Sequence, residues 1–491
     1  LAVVATKALL ALDPGRLPRT GEVRVDSRVL LLALGVSLAT AVGLALISVW
    51  RAAGGELRDA LSVSQRTMSG AGSSTRIRGA LVVAQVAMTL VLLVSAGLLA
   101  RSFITLLKVD PGFRAERAVV LDLSVDAEAD LVDVPGSAHH SSSEAERTAF
   151  YRELITRLGG VPGVTAVGAI NAIPLATDGT SNGTFLELTS PDERITFDEM
   201  PQLFQDHGRT GQAEFRVASG GYFAAMHIPL LEGRTFDDRD APDGVNVAVV
   251  SRSLAKAKWP GQSPIGKWIQ FGNMDGDLRP FIIVGVVGDV REAALDVQPK
   301  PTFYANYLQR QVSTTRMNMV MAGAGNPASI AASARAIVGE LRPDVPPRFR
   351  TIESIVASSV AGRRFVLLLV GVFGGAALVL AATGLYSVIS YTVAQRVHEL
   401  GIRVALGAPA HEIVGLVMRE GGALAAVGIA IGAVSAVVVA QLLRALLYGI
   451  SATDPVAFSA VGLVVVVVAL VACWVPARRA SRVDVMEVLR S

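Results

Sequence analysis

The chain has one cysteine in 491 residues, Cys473. No intrachain disulfide can form, and the thiol falls inside an apolar run, where a small packing residue is the simplest reading. The long segment from 101 to 364 has no thiol and must be held by its own core. Metal and catalytic chemistry have no foothold. His139 and His140 precede a serine run, His207 and His227 stand alone, and none has a companion at metal-ligand spacing. Ser219, Ser251 and the Asp237–Asp238 pair lack any nucleophile-elbow context. A formal charge of +3 is too small to suggest nucleic acid. The most informative lack is of charge within five long apolar runs.

Those runs cover residues 29–50, 79–100, 365–395, 421–443 and 455–477. A composition of 51% hydrophobic residues and a mean hydropathy of +0.48 decide little by themselves. Run length decides more, because each run exceeds the roughly 18–20 residues that cross about 30 Å of hydrocarbon. Five spanning helices are expected, and residues 1–12, with only Lys7 charged, are expected to be the tail of a sixth. None of the five runs holds Asp, Glu, Lys, Arg or His, which argues against a proton- or sodium-driven carrier. The chain opens on Leu1 with no charged n-region or cleavage site, so its first residues are not expected to be a signal peptide.

Two of the runs lead into similar tails. Residues 29–50 are succeeded by Arg51 and a tail closing on Asp59, Ala60 and Leu61. Residues 455–477 are succeeded by Arg478 and a tail closing on Glu487, Val488 and Leu489. A span, a basic exit and an amphipathic tail ending in an acidic-x-Leu triplet therefore occur twice. That pattern suggests a duplicated membrane protein whose sequence here starts inside the first copy, as an N-terminally truncated fragment. Arg51, Arg58, Arg66, Arg76 and Arg78 lie between the first two runs, and Arg478, Arg479, Arg482 and Arg490 come after the last. The positive-inside rule puts both clusters in the cytoplasm, which places residues 101–364 outside, 396–420 inside and 444–454 outside.

The outer segment has a mixed pattern. Residues 118–125 look like a strand, 143–158 carry Phe150, Leu154, Ile155 and Leu158 at helical spacing, and 164–170 look like a second strand. The same order recurs at 317–321, 327–341 and 348–352. Residues 247–250 and 281–287 are the clearest strands of a strand-rich middle. The two strand–helix–strand units are expected to pair into one α+β subdomain, with the middle inserted as a second. Residues 126–143 and 177–209 are expected to be surface loops.

Several motifs remain. Gly371 with Gly375, and Gly428 with Gly432, have the small-xxx-small spacing that lets helices approach closely. The run 365–395 would be about 46 Å long as a helix, enough to tilt or project as a stalk. Gly261 to Lys267 nearly spells a phosphate-binding loop, but Trp268 takes the place of the Mg²⁺-binding hydroxyl, Pro264 interrupts it, and a strand is expected next. No nucleotide site of the chain's own is expected. Between 395 and 414, two short helical segments are expected, joined at Gly407, Ala408 and Pro409. There Glu399 and Arg403 alternate with Leu400, Ile402 and Leu406, a pattern able to dock an apolar side into a partner's groove while the charges fix register.

This last stretch, Glu399-x-Gly401-Ile402-Arg403-x-x-Leu406-Gly407-Ala408, resembles the cytoplasmic signature of FtsX/MacB-type ABC transporter permeases. So do Ala80 to Gln85, Gly97 to Phe103, Val109 to Phe113, Gly221 to Phe223, Gly233 to Phe236, Pro264 to Gly266, Ile283 to Asp289, Pro476 to Ala480 and Val488 to Arg490. Departures are slight: Leu400 stands where isoleucine is frequent, and no nucleotide-binding domain is expected within residues 1–491. The resemblance implies an α-helical polytopic membrane protein with a large α+β extracytoplasmic domain of the MacB periplasmic core type. The implied organisation is the end of a first permease repeat (1–61), a cytoplasmic linker (62–78), a first helix (79–100), the core domain (101–362) and a second permease domain (363–491, with spans 365–390, 421–443 and 456–476).

It further implies a permease without its own ATP site or bound cofactor, in a bacterial inner membrane, coupled to a cytoplasmic ABC ATPase that hydrolyses ATP. In that reading Glu399, Gly401, Ile402, Arg403, Leu406, Gly407 and Ala408 form the coupling element. Membrane lipid and an extracytoplasmic adaptor or substrate protein are the other implied partners, with export of a drug, peptide or lipoprotein as the work done. The alternative is a transmembrane transducer that regulates an extracytoplasmic hydrolase or envelope process.

Overall fold

The computed structural model describes residues 31–32, 34–39, 41–43, 45–46, 70–114, 117–125, 140–176, 182–193, 195–196, 198–199, 208–271, 277–397, 399, 402–403, 406 and 409–481. The chain divides into two compact units, residues 108–361 and residues 1–107 with 362–491. In chain order the elements used below are helix α1 (Gly70–Leu107), strand β1 (Val119–Ser124), α2 (His140–Gly159), β2 (Val164–Ile170), β3 (Asn182–Leu188), β4 (Thr210–Ala218), α3 (Gly220–Ala225), β5 (Leu230–Gly233), β6 (Asn246–Ser251), α4 (Arg252–Lys258), β7 (Trp268–Phe271), β8 (Phe281–Val287), β9 (Thr302–Asn306), β10 (Arg316–Gly323), α5 (Pro327–Leu341), β11 (Arg348–Thr351), α6 (Ile352–Ser359), α7 (Ala361–Gln395), α8 (Ala410–Leu442) and α9 (Pro455–Ala480).

In the α+β unit the two strand–helix–strand segments form one antiparallel sheet in the order β11-β1-β10-β2. Strand alternation explains its buried face: Val119, Leu121 and Leu123 of β1 and Met317, Met319 and Met321 of β10 belong to one core. Helical spacing supplies the other side, with Tyr151, Leu154 and Leu158 from α2 and Ile330, Ala334 and Val338 from α5 in the same core. Each fully buried Leu or Met side chain stabilises this layer by about 1.5–3 kcal/mol. α5 starts cleanly because Asn326 caps it, its side chain accepting from Ala328 N at 2.9 Å, with Pro327 in the first turn.

The middle of the chain is a closed barrel. β4 pairs with β3, β3 with β7, β7 with β8, β8 with β6, β6 with β9, and β9 returns to β4 in parallel register. Closure leaves none of these six strands as a free edge. Its interior is aromatic: Phe271 and Phe303 have centroids 4.5 Å apart, Phe281 and Phe303 4.9 Å, and Phe215 and Phe271 5.2 Å. Such tilted and edge-on pairs add about 0.5–1.5 kcal/mol each beyond their area. A single bridge, Ile170 with Ala218, links barrel and sheet into one eleven-stranded system. The near-phosphate-loop enters strand β7 at Trp268, and Lys267 Nζ is bound to Glu187 at 3.2 Å.

The helical unit contains the four helices, among the described residues, that are long and apolar enough to cross a membrane: Ile77–Leu107, Ala361–Gln395, Ala410–Leu446 and Pro455–Arg479. The expected span at 29–50 is described only in part, with a short apolar helix at Leu34–Gly43, and residues 1–12 lie outside the described residues. In α8 the buried positions are Ile413, Val417, Gly421, Ala425, Gly428, Gly432, Ala436 and Ala440, a seam of small residues at helical spacing. Gly421 receives Cys473 of α9, since a Cβ there would meet Sγ at 2.5 Å. Polar groups are satisfied locally: Thr89 Oγ1 donates to Gln85 O at 2.8 Å, with Ala377 O of α7 3.0 Å away. At one end of the bundle Arg101 of α1 pairs with Asp454, the N-cap of α9.

Candidate functional site

The segment between α7 and α8 carries the signature residues. α7 ends at Gln395, whose side chain donates to Tyr391 Oη at 2.8 Å. Arg396 then pairs with Glu420 of α8. Glu399 and Arg403 come next, one helical turn apart, with Arg403 Nη2 donating to Glu399 Oε1 at 2.8 Å. Both side chains are about half exposed, so the pair is worth only about 0.3–0.5 kcal/mol in water. Leu406 N donates to Ile402 O at 3.0 Å, continuing the helical turn. Leu406 is 83% exposed and Ile402 45%. The segment therefore presents two apolar side chains and an ordered ion pair to its surroundings. Gly401, Gly407 and Ala408 lie outside the described residues.

Pro409 closes the segment as the N-cap of α8, and Glu412 sits in that helix's first turn, where a carboxylate suits the positive end of the dipole. Ile413 is buried beside Val393 and Leu416, which fixes the start of α8 against the end of α7. The sequence suggests two short helices joined at 407–409. The structure instead continues the second helix without a break through Gly421 and Gly422 into the span, because nothing after Pro409 interrupts the backbone bonds. The charged stretch from His411 to Glu420 is thus a rigid extension of a spanning helix.

The four glycines with small-xxx-small spacing differ in surroundings. A Cβ on Gly428 would lie 2.8 Å from Val86, and one on Gly432 would lie 2.9 Å from the backbone of Ala87, so both admit α1. Gly371 and Gly375 have nothing within 4 Å, whereas their neighbour Gly374 packs on Leu93. Gly384, which the spacing rule does not single out, approaches the Gln85 side chain.

A second polar constellation lies buried in the α+β unit. Arg216 on β4 is 2% exposed, with Glu292 Oε2 3.3 Å from its Nε and Glu214 Oε2 3.6 Å from its Nη2. Lys300 reaches Glu214 at 3.0 Å. Burial pushes the Glu292 carboxyl above its usual range, and Arg216 pulls the other way. Strand alternation could have flagged these residues, since Ala213, Phe215 and Val217 face the barrel core and Glu214 and Arg216 face away from it. What covers that outer face came from distant sequence.

The MacB-like periplasmic core domain model matches residues 29–340, and the FtsX-like permease C-terminal model matches residues 371–485. A pyoverdine export ATP-binding/permease protein, PvdT, of Pseudomonas putida is 23% identical over 70% of this chain and 57% of its own length. A macrolide export ATP-binding/permease protein, MacB, of Rhodospirillum rubrum is 26% identical over 62% of this chain and 53% of its own. The chain spans about half the length of these curated relatives. The periplasmic region of MacB from Actinobacillus actinomycetemcomitans aligns at 15% identity with a TM-score of 0.32, covering 51% of this chain and 95% of that one. The chain is a membrane protein of the MacB-like periplasmic core domain family, and its permease segment is FtsX-like.

Proposed function

We propose that the chain is the permease component of a bacterial inner-membrane ABC transporter, several spans crossing that membrane and the α+β unit lying outside the cytoplasm. In this reading the chain hydrolyses no ATP and binds no cofactor. A separate cytoplasmic ATPase turns ATP over, and its dimerisation stroke reaches the outer unit through α7 and α8. Glu399, Gly401, Ile402, Arg403, Leu406, Gly407 and Ala408 form the coupling element. The export assigned by name to the relatives, of pyoverdine and of macrolides, makes efflux of a drug-, peptide- or lipoprotein-like molecule the favoured work.

One observation carries the reading: Leu406 and Ile402 are exposed beside an ordered Glu399–Arg403 pair, at the foot of a helix that runs unbroken into the span. Exposed leucine costs solubility unless it is covered, and an apolar anchor flanked by charges fits a groove on a partner. The test is cysteine crosslinking from Arg403→Cys in the full-length protein carrying Cys473→Ala, with mass spectrometry of what is captured. Capture of an ABC-type ATPase supports coupling. Efficient cytoplasmic labelling with no ATPase captured overturns it and leaves a membrane-anchored binding protein or transducer.

A further inference from the structure

Outside the coupling segment, the α+β unit contains a cleft of about 480 Å³, within the size range of small-ligand sites. Three segments distant in sequence build it: residues 110–114, His227 with Pro229, and Arg252 with Gly288 and Asp289. They are locked together by backbone bonds, Arg291 N to Pro111 O at 2.9 Å, Arg114 N to Met226 O at 3.0 Å and Gly288 N to Pro229 O at 2.8 Å. Gly112, at φ +86°, can take its place only without a side chain, since a Cβ would lie 1.9 Å from the Asp289 carbonyl oxygen. His227 holds a left-handed backbone, φ +52°, at the rim. Such a conformation is rarely kept by a residue other than glycine without a reason in the surrounding structure.

The charged groups are committed unequally. Asp110 Oδ1 accepts from Gly112 N at 2.9 Å, and Asp289 Oδ1 accepts from Ser253 N at 2.6 Å, so both carboxylates are tied to backbone donors. Arg252 touches Asp289 only at 3.9 Å, the long edge of an ion pair. The side chains of Arg114 and His227 make no hydrogen bond or ion pair among the described residues. Among the described residues each carboxylate thus accepts from a backbone N–H, Arg252 holds Asp289 only at long range, and Arg114 and His227 keep their side-chain donors uncommitted. Two guanidinium forks and an imidazole facing one cleft match the oxygens of a phosphate group. Phe113 and Pro229 add apolar wall beside them.

We propose that this cleft binds a phosphate ester through Arg114, His227 and Arg252, with Gly112 and Asp289 shaping its floor. The phosphate comes either from a phospholipid headgroup or from a soluble phosphate compound. The site is independent of the coupling segment.

The full chain in a phosphate-free maltoside detergent would be titrated with inorganic phosphate and, separately, with dihexanoyl-phosphatidylglycerol below its micelle concentration, following binding by thermophoresis. Saturable binding is expected in at least one arm, weakened ten-fold or more by Arg114→Gln and by Arg252→Gln. His227→Asn, which tolerates the left-handed backbone, is expected to weaken it three-fold or more. Saturation by the lipid alone makes the source a headgroup, and saturation by phosphate makes it a soluble ester. Both support the site. No saturation in either arm, or saturable binding that Arg114→Gln and Arg252→Gln each leave within two-fold, overturns the proposal. All three variants change exposed side chains, so an unchanged melting temperature confirms that they are folded.

Discussion

The two units of this protein solve the burial of polar groups in opposite ways. The α+β unit buries full charges: Arg216 between Glu214 and Glu292, and Arg310 against Asp277 at 2.8 Å with the Phe281 ring 4.1 Å away. It fills the rest with aromatic rings. Apart from Asp454, which pairs with Arg101, the helical unit buries mainly hydroxyls that bond to backbone carbonyls, and it gains contact by removing side chains at Gly421, Gly428 and Gly432. The difference arises from the solvent. In water, burying phenylalanine is itself the driving force, and a charge pair can be carried along if its geometry is good. In hydrocarbon, leucine gains nothing by moving from lipid to a neighbour, so close packing of backbones has to supply the attraction. One chain thus needs large residues at its contacts in one unit and small residues in the other.

The largest effect should come from breaking the buried charge cluster. Arg216→Ala leaves Glu214 and Glu292 in a site without their shared cation, and about 3–5 kcal/mol of stability should be lost from the α+β unit. Urea unfolding followed through Trp259, which lies in the barrel core, measures this. A loss below about 1 kcal/mol would mean that the cluster is hydrated and that aromatic packing alone holds the unit.

Next is the small-residue seam. Gly428→Leu and Gly432→Leu each drive a side chain into α1 and should cost about 1–3 kcal/mol by overpacking. Gly371→Ala and Gly375→Ala enter open space and, as mid-helix replacements, should stabilise by up to about 1 kcal/mol. Thermal unfolding in one detergent, all four variants side by side, separates the two pairs. Equal effects at all four positions would break the comparison, because spacing alone and not contact would then decide.

These glycines also mark how far the sequence could be read. The i, i+4 spacing identified four candidates, but which of them meets a neighbour depends on helix rotation, and periodicity carries no information about that. The sheet was legible where period was local: the alternation of β1 and β10 and the helical stripes of α2 and α5 are visible in the residues themselves. Closure of the barrel was not, since β4 and β9 are more than eighty residues apart and their parallel pairing leaves no local mark (218 to 302). Between α7 and α8 the motif named the residues, while the fusion of its second half with α8 depended on the absence of any breaker beyond Pro409.

A smaller, pH-dependent effect distinguishes a fully buried from a partly buried carboxylate within the α+β unit. Glu292 has its folded-state value raised by burial, so between its ordinary value and the raised one the unfolded chain ionises while the folded one keeps its proton. Stability from this group is fullest below the ordinary value and is lost as pH rises through the folded one. Glu193 does the reverse. Arg209 and Thr189 bond its carboxylate and hold it at about 2, so its contribution is present above the ordinary value and disappears as pH falls toward 2. Glu292→Gln should flatten the loss of stability above pH 4.5, and Glu193→Gln should flatten the loss below it. Midpoints of denaturant unfolding from pH 3 to 8 decide the matter (a window set by the ordinary carboxylate range). If both variants flatten the same limb, burial is not what separates the two groups.

The smallest effect on stability should fall where the effect on function is largest. Among the described residues Arg403 bonds only Glu399, both are half exposed, and exposed helical pairs contribute about 0.3–0.5 kcal/mol. Arg403→Ala should therefore leave the melting temperature almost unchanged, as should Leu406→Ser, since Leu406 is the most exposed large apolar side chain among the described residues of the helical unit. Removing a side chain that is 83% exposed takes away little packing. If the segment couples to an ATPase, the same two substitutions should reduce permease-dependent ATP turnover by an order of magnitude or more, the signature of an anchor filled only by a partner. A variant that loses several degrees of melting temperature in the isolated chain would place Leu406 in a contact within the protein. Exposure would then no longer mark the coupling surface, and the division between a rigid small-residue bundle and its docking element would fail at this point.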